Sequence, residues 1–340
     1  MEEKIVKHPL HGFSSKYDNE KLVTYLYSED PLTFKTQKDD EEQTDNALQE
    51  IWVNSFVKFF EAPIDWYFNH VLGIKYNEED DTLEDTELFG LDYLQQWSFK
   101  QELLRHEEDP EALIQKGIKQ GSLPLKNQGK YTAEQLIEEL QPLKQRYKEL
   151  TDNKKEVSND IDLRFGNIRI KGTLEGVFDK HYIGVTTSKS STSALKYRTR
   201  NYLRSLLLYA CEAIESATEL TLQKEKGKIA VQEIDYPKLE KQAAINQIES
   251  LLKFFRKGQN SPLMFCLEAA IPGKDMDDIT IDSVKDAFEN RMKENSNVQP
   301  PIPGNQYITM LWNEGYFEEI NEEDLEEIRE FAGLLNINEK

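Results

Sequence analysis

Between residues 47 and 61 (ALQEIWVNSFVKFFE) apolar side chains recur at spacings of three and four, which predicts an amphipathic helix. Pro63 then opens a short helical run, IDWYFNHVL, that Gly73 is placed to end. The helical period returns over 90–107 and 109–120, the second stretch stopping near Gly121. Thr132, with Gln135 three residues on, makes a capping-box start for AEQLIEELQPLKQRYKEL. The period then changes to two. Over 157–188, Ile161, Leu163 and Phe165 share one face, Ile168 and Ile170 follow a Phe165-Gly166-Asn167 turn, and Leu174, Gly176 and Phe178 lead to a second turn at Asp179-Lys180-His181. This predicts a strand meander with tight hairpins. A helix over 194–216 follows, apolar on one side and basic on the other. A strand pair, TELTLQ and KIAVQEI, is split at Lys226-Gly227-Lys228. Tyr236-Pro237 opens a helix through Phe255 that Gly258 closes, and the tail is helical around the Pro-rich stretch 299–303.

This order predicts an α+β fold with a small mixed sheet flanked by helices. Three regions are expected: a mainly helical extension over 1–150, an α+β core over 151–275 and a helical tail packing on it over 276–340. The length of 340 residues and the 38% of apolar side chains suffice for a sizeable core. No apolar run approaches the roughly 20 residues that span a bilayer. The start, MEEKIVKHPLHGF, lacks the apolar region of a secretory signal. The two cysteines, Cys211 and Cys266, have neither metal spacing nor a disulfide framework, so a cytoplasmic, reducing setting is expected.

Charge alters the picture by its position. The net charge of −21 argues against a protein that coats nucleic acid non-specifically. The acids are concentrated in Asp39–Asp45, Glu78–Glu87 and the tail from Glu314 onward. Residues 180–211 invert this pattern. They carry Lys180, Lys189, Lys196, Arg198, Arg200 and Arg204 and no acid at all. Positions 196, 200 and 204 fall on one helical face, a stripe that could follow a phosphate backbone or meet an acidic partner. Its bland reading is a solvated polar face.

Candidate chemistry is sparse. His8 and His11 form H-x-x-H without the further ligands a metal needs, so no metal site or other cofactor is expected. There is no Walker-type phosphate loop, no Gly-x-Ser-x-Gly elbow, and no nucleophilic Cys with a His in recognisable context. The meander is more informative. Gly-x-x-Asp, a hairpin, Asp/Glu-x-Lys and a helix bearing Gln and Tyr form the pattern of the RecB-like branch of PD-(D/E)XK nucleases, in which strand carboxylates hold Mg²⁺. Here Gly176-Val177-Phe178-Asp179 supplies the first part and Lys189 is present, but Thr187 stands where the second carboxylate belongs and Ser205 where the helix has Gln. A hydroxyl is a poor substitute for an anionic Mg²⁺ ligand. Asp179, Thr187, Lys189 and Ser205 are therefore read as a vestigial site, with no catalytic residue assigned.

Read together, these pieces resemble the C-terminal part of the exodeoxyribonuclease V gamma subunit (RecC) family. The likeness runs in order through His8-Pro9-Leu10 with Phe13-Ser14, then Phe59-Phe60-x-x-Pro63 with Tyr67-Phe68 and Leu72-Gly73-Ile74. It continues through Leu91-Asp92-Tyr93-Leu94 with Gln101-Glu102-Leu103-Leu104, Ile170-Lys171-Gly172, and Leu251-Leu252 to Phe254, Gly258, Pro262-Leu263 and Phe265. The resemblance implies a nuclease-like (restriction-endonuclease-like) fold that has lost catalysis. It implies a place in a helicase–nuclease that acts on double-strand breaks in homologous recombination, with the beta (RecB) and alpha (RecD) subunits and double-stranded DNA ends as partners and no membrane. It also implies a fragment without the family's upstream helicase-like domains. Lys189, Lys196, Arg198, Arg200 and Arg204 are the expected DNA or partner contacts. An active Mg-dependent nuclease using Glu175 or Asp179, and an interaction module unrelated to DNA, are the alternatives.

Overall fold

The computed structural model describes residues 48–75, 90–105, 110–187, 191–225, 228–270, 278–295 and 303–335. His8, His11, Lys189 and the acidic runs at 39–45 and 78–87 lie outside the described residues.

A six-stranded mixed sheet organises the chain. The meander expected from the period-two pattern forms β2 (Glu156–Phe165), β3 (Ile168–Phe178) and β4 (His181–Thr186). β2 runs antiparallel along the whole of β3. The opposite edge of β3 is shared. β1 (Gln49–Trp52) pairs in parallel with Ile168–Lys171, and β4 pairs only through Val177↔Tyr182 and Phe178↔His181. Beyond those two pairs β4 leaves β3 and runs parallel to β5 (Ser216–Glu225), which pairs antiparallel with β6 (Lys228–Tyr236).

Strand β1 corrects the helix expected over 47–61, which starts only at Val53 as α1 (Val53–Glu61). The N–H and C=O groups along the start of β3 need partners, and the four residues of β1 supply them, overriding the local helical period. α2 (Pro63–Trp66) continues into a π turn, Tyr67–Val71, and ends at the left-handed Gly73, as expected.

Alternation along the strands sends side chains into two cores. On one face, α3 (Tyr93–Arg105), α4 (Pro110–Gln120) and α5 (Lys126–Thr151) pack on Phe178, Ile183, Leu220 and Leu222. On the other, α1, α6 (Ser191–Ala210), α7 (Lys241–Asn260), α8 (Leu267–Ala270), α9 (Ile281–Met292), α10 (Gln306–Asn313) and α11 (Glu322–Leu335) enclose Ile168, Ile170, Val177 and Tyr182. α5 begins at Lys126, before the Thr132 cap, because buried Leu123 and Pro124 anchor the preceding turn. α6 ends six residues earlier than its pattern suggests. Glu212 takes a left-handed φ of 55° and Ala213 N–H bonds back to Leu208 C=O at 3.0 Å, which turns the chain into β5.

The second core is rich in aromatic rings. Phe59 lies edge-on to Phe255 at 4.9 Å and to Trp66 at 5.3 Å. Each such buried ring contributes roughly 1.5–3 kcal/mol. Gly258 does not close α7, which runs through it to Asn260. Its role is close approach, since a Cβ there would meet the Phe59 ring at 2.4 Å.

Candidate functional site

The β3–β4 hairpin turns on Asp179 and Lys180, at φ 46° and 62°. Two left-handed residues are what a type I′ turn requires, and Asp is among the few side chains that tolerate the conformation. Asp179 is exposed at this tip. Thr187 stands at the far end of β4, about 20 Å away at 3.3 Å per residue. The structure thus does not bring Asp179 and Thr187 together. Glu175 is exposed on β3, short of the two residues that pair with β4.

Thr187 is 2% exposed and its hydroxyl accepts from Gln101 of α3 at 2.9 Å. Lys100 of the same helix is ion-paired with Glu139 of α5. Helix α3 therefore lies over the end of β4 and closes it with an uncharged hydrogen bond. Ser205 is 1% exposed and turned inward on its own helix, donating to the Tyr202 carbonyl at 2.7 Å. Among the described residues, no three His, Cys, Asp or Glu side chains are placed to hold a metal ion.

Beneath α6 lies a polar network that the sequence pattern does not announce. Thr186 donates to Glu219 of β5 at 2.8 Å, and Tyr236 of β6 donates to its other oxygen at 2.5 Å. Asn201 approaches Thr186 at 3.4 Å and accepts from Tyr182 at 3.2 Å. Burial pushes the Glu219 carboxyl above its ordinary range, with the Tyr236 and Thr186 hydrogen bonds opposing. Burial raises Tyr236 and Tyr182 as well. The helix sits so near β4 that a Cβ on Gly184 would be 2.6 Å from Asn201. The space between α6 and the sheet is filled by the chain's own side chains. The available signal for Glu219 is that β5, a central strand, carries Thr218, Glu219 and Thr221 where both faces must be covered.

The basic stripe lies on α6 as its spacing predicts, yet that face packs on α1. Arg200 grips the buried Glu61 with two hydrogen bonds, at 2.6 and 2.9 Å, and stacks on Tyr197 at 4.9 Å. Lys196 stands 3.8 Å from the same carboxylate. Arg198 is 8% exposed, and its carbonyl accepts from Tyr236 at 3.1 Å. The charge of Arg204 partly offsets the burial that raises the Tyr182 hydroxyl. Of the described residues in the stripe, Lys196 alone is exposed. Glu61 is the counter-charge that sequence reading missed, because it comes from an element 139 residues away. Beside it lies a cavity of about 250 Å³ lined by Glu61, Asp65, Lys196, Glu268 and Arg291. Burial raises Asp65, while a hydrogen bond from Asn305 at 2.6 Å opposes.

Comparison with known proteins supplies the family. The profile of the RecC C-terminal domain matches residues 48–272, two thirds of the chain. The RecBCD enzyme subunit RecC of Haemophilus influenzae is 22% identical over 269 residues, 75% of this chain and 24% of that protein. Its Escherichia coli counterpart is 25% identical over 215 residues, 62% of this chain and 18% of that protein. The chain thus spans about a quarter or less of the curated relatives it matches. The solved crystal structure of SSO0001 overlaps 52% of the chain and 94% of its own at 16% identity, with a TM-score of 0.25 that is too low to carry an argument. The match over residues 48–272 covers β1, the aromatic core, the meander and the network under α6, and by it the chain belongs to the RecC C-terminal domain family.

Proposed function

We propose that this chain is a non-catalytic, structural and DNA-contacting domain of a RecC-type subunit of the exodeoxyribonuclease V helicase–nuclease. It acts in the cytoplasm with RecB- and RecD-type subunits on double-stranded ends, in break repair and homologous recombination. Its core is a nuclease-like fold in which Thr187, Lys189 and Ser205 are vestigial positions, while Asp179, at the hairpin tip away from Thr187, is a turn residue. The observation that carries this reading is Thr187, a neutral hydroxyl under α3 at the strand end where an active site would hold a metal-binding carboxylate. The hairpin-then-helix order of β3, β4 and α6 supports the same reading. Contact with DNA at the α6 stripe rests on Lys196, and Lys189 is a further expected contact. Arg198, Arg200 and Arg204 serve the fold.

The test is co-purification. The 340-residue chain, tagged, is expressed with the RecB- and RecD-type subunits of the same organism. Recovery of a stoichiometric complex that survives high salt and nuclease treatment supports the proposal. A chain that elutes alone under all conditions overturns it.

A further inference from the structure

We infer that the tip of the α4–α5 hairpin is a nucleic-acid backbone contact, a surface separate from the α6 stripe. The inference deepens the reading above, on which it rests for the presence of DNA, by moving the principal contact to the opposite face of the sheet. Residues 112–133 form a second acid-free window in this acidic chain, with Lys116, Lys119, Lys126 and Lys130 and no Asp or Glu. All four lysines are exposed, in contrast to the arginines of α6.

The fold places the four charges on the two sides of one turn. Leu113, Ile114 and Gly117 of α4 and Ala133 and Leu136 of α5 turn inward, and the two helices are in contact across the buried Leu123-Pro124 turn. Lys119 and Lys126 then flank the turn, with Lys116 and Lys130 about one helical turn behind. Lys130 shares its charge with Glu111 at 3.6 Å and Glu134 at 4.0 Å, both exposed. Among the described residues no carboxylate lies within ion-pair distance of Lys116, Lys119 or Lys126.

Three features favour a nucleic acid over an acidic protein. The cations are all lysines, mobile point charges suited to phosphates whatever the sequence, whereas carboxylate recognition favours the planar fork of arginine. The exposed amides of Gln115, Gln120, Asn127 and Gln128 surround them, of the kind that bond phosphate and sugar oxygens. Tyr131 and Leu125, 57% and 46% exposed, offer a ring and an apolar surface against which a base can stack.

The probe is an end-labelled oligonucleotide, single-stranded in one arm and duplex in the other, read by fluorescence anisotropy with the whole chain. Three to four phosphate contacts predict affinity falling about 100-fold between about 50 and 200 mM salt. Lys116→Gln/Lys119→Gln/Lys126→Gln/Lys130→Gln should abolish most of that salt dependence. Lys238→Gln/Lys253→Gln, both exposed elsewhere, should change it little. Tyr131→Ala should weaken the single strand about tenfold and the duplex less. Unchanged thermal unfolding of each variant separates lost contact from lost fold. Equal affinity and salt slope for wild type and the four-lysine variant overturn the inference, as does a wild type that binds neither probe. Tighter, lysine-dependent binding of poly-glutamate overturns it in favour of an acidic protein partner. Success or failure of co-purification bears on the subunit assignment alone.

Discussion

Replacing Arg200 by Met separates a structural arginine from a DNA-contacting one. The Glu61 side chain is 3% exposed and receives two hydrogen bonds from Arg200, whose own side chain is 26% exposed. Removing the guanidinium leaves a buried carboxylate with Lys196 at 3.8 Å as its nearest cation. Breaking a fully buried pair costs about 3–5 kcal/mol, and the partial exposure of Arg200 reduces the expectation to about 2–4 kcal/mol. Urea unfolding followed by tryptophan fluorescence reads this as a lower midpoint at unchanged slope. The double variant Glu61→Gln/Arg200→Met should recover more than half of the loss, because no buried charge is then left unpaired. DNA affinity of Arg200→Met should stay close to wild type in both salts. Arg200→Met with full stability and weakened DNA binding would contradict a structural role for Arg200 and restore the stripe as a contact surface.

Three further outcomes follow from the packing. Gly258→Ala places a methyl 2.4 Å from the Phe59 ring and should destabilise by about 1–3 kcal/mol in the same urea assay; a neutral result would mean that α1 and α7 are not in contact in solution. Burial holds the Glu219 carboxyl above its ordinary 4.5, so the native chain binds that proton more tightly than the unfolded one. The resulting stability is present below pH 4.5 and is lost as pH rises through the raised native value. Unfolding measured from acid to neutral pH should therefore favour Glu219→Gln progressively over wild type, and a pH-independent difference would contradict the assignment. Burial also raises both thiols, fully for Cys266 and partly for Cys211. Titration with a thiol reagent should modify Cys211 slowly in the native chain and Cys266 only on unfolding.

The meander was legible because a period of two over Ile161 to Phe178 is a local property that tertiary contacts reinforce. β1 was not, because Gln49–Trp52 is helical in pattern and extended only through the unpaired edge of β3. Thr187 and Ser205 stand out as neutral positions against the pattern of the RecB-like nucleases, whereas the Gln101 partner of Thr187 and the cover given by α3 depend on a helix 86 residues away in sequence. The arginine stripe shows the same limit from the other side. Spacing places Lys196, Arg200 and Arg204 on one face but does not say whether that face meets water or a buried Glu61. The lysines of α4 and α5 are a weaker compositional signal, four charges in 22 residues, and their exposure is visible only in the fold.

We propose that Thr187 stands, neutral and covered by α3, at the strand end where a metal-dependent nuclease would hold a carboxylate. The most direct test is incubation of the purified chain with linear duplex and single-stranded DNA, with Mg²⁺ and with Mn²⁺, beside Asp179→Ala and Glu175→Ala. Intact DNA is expected from all three proteins. Cleavage by the wild type that disappears in either variant would contradict it.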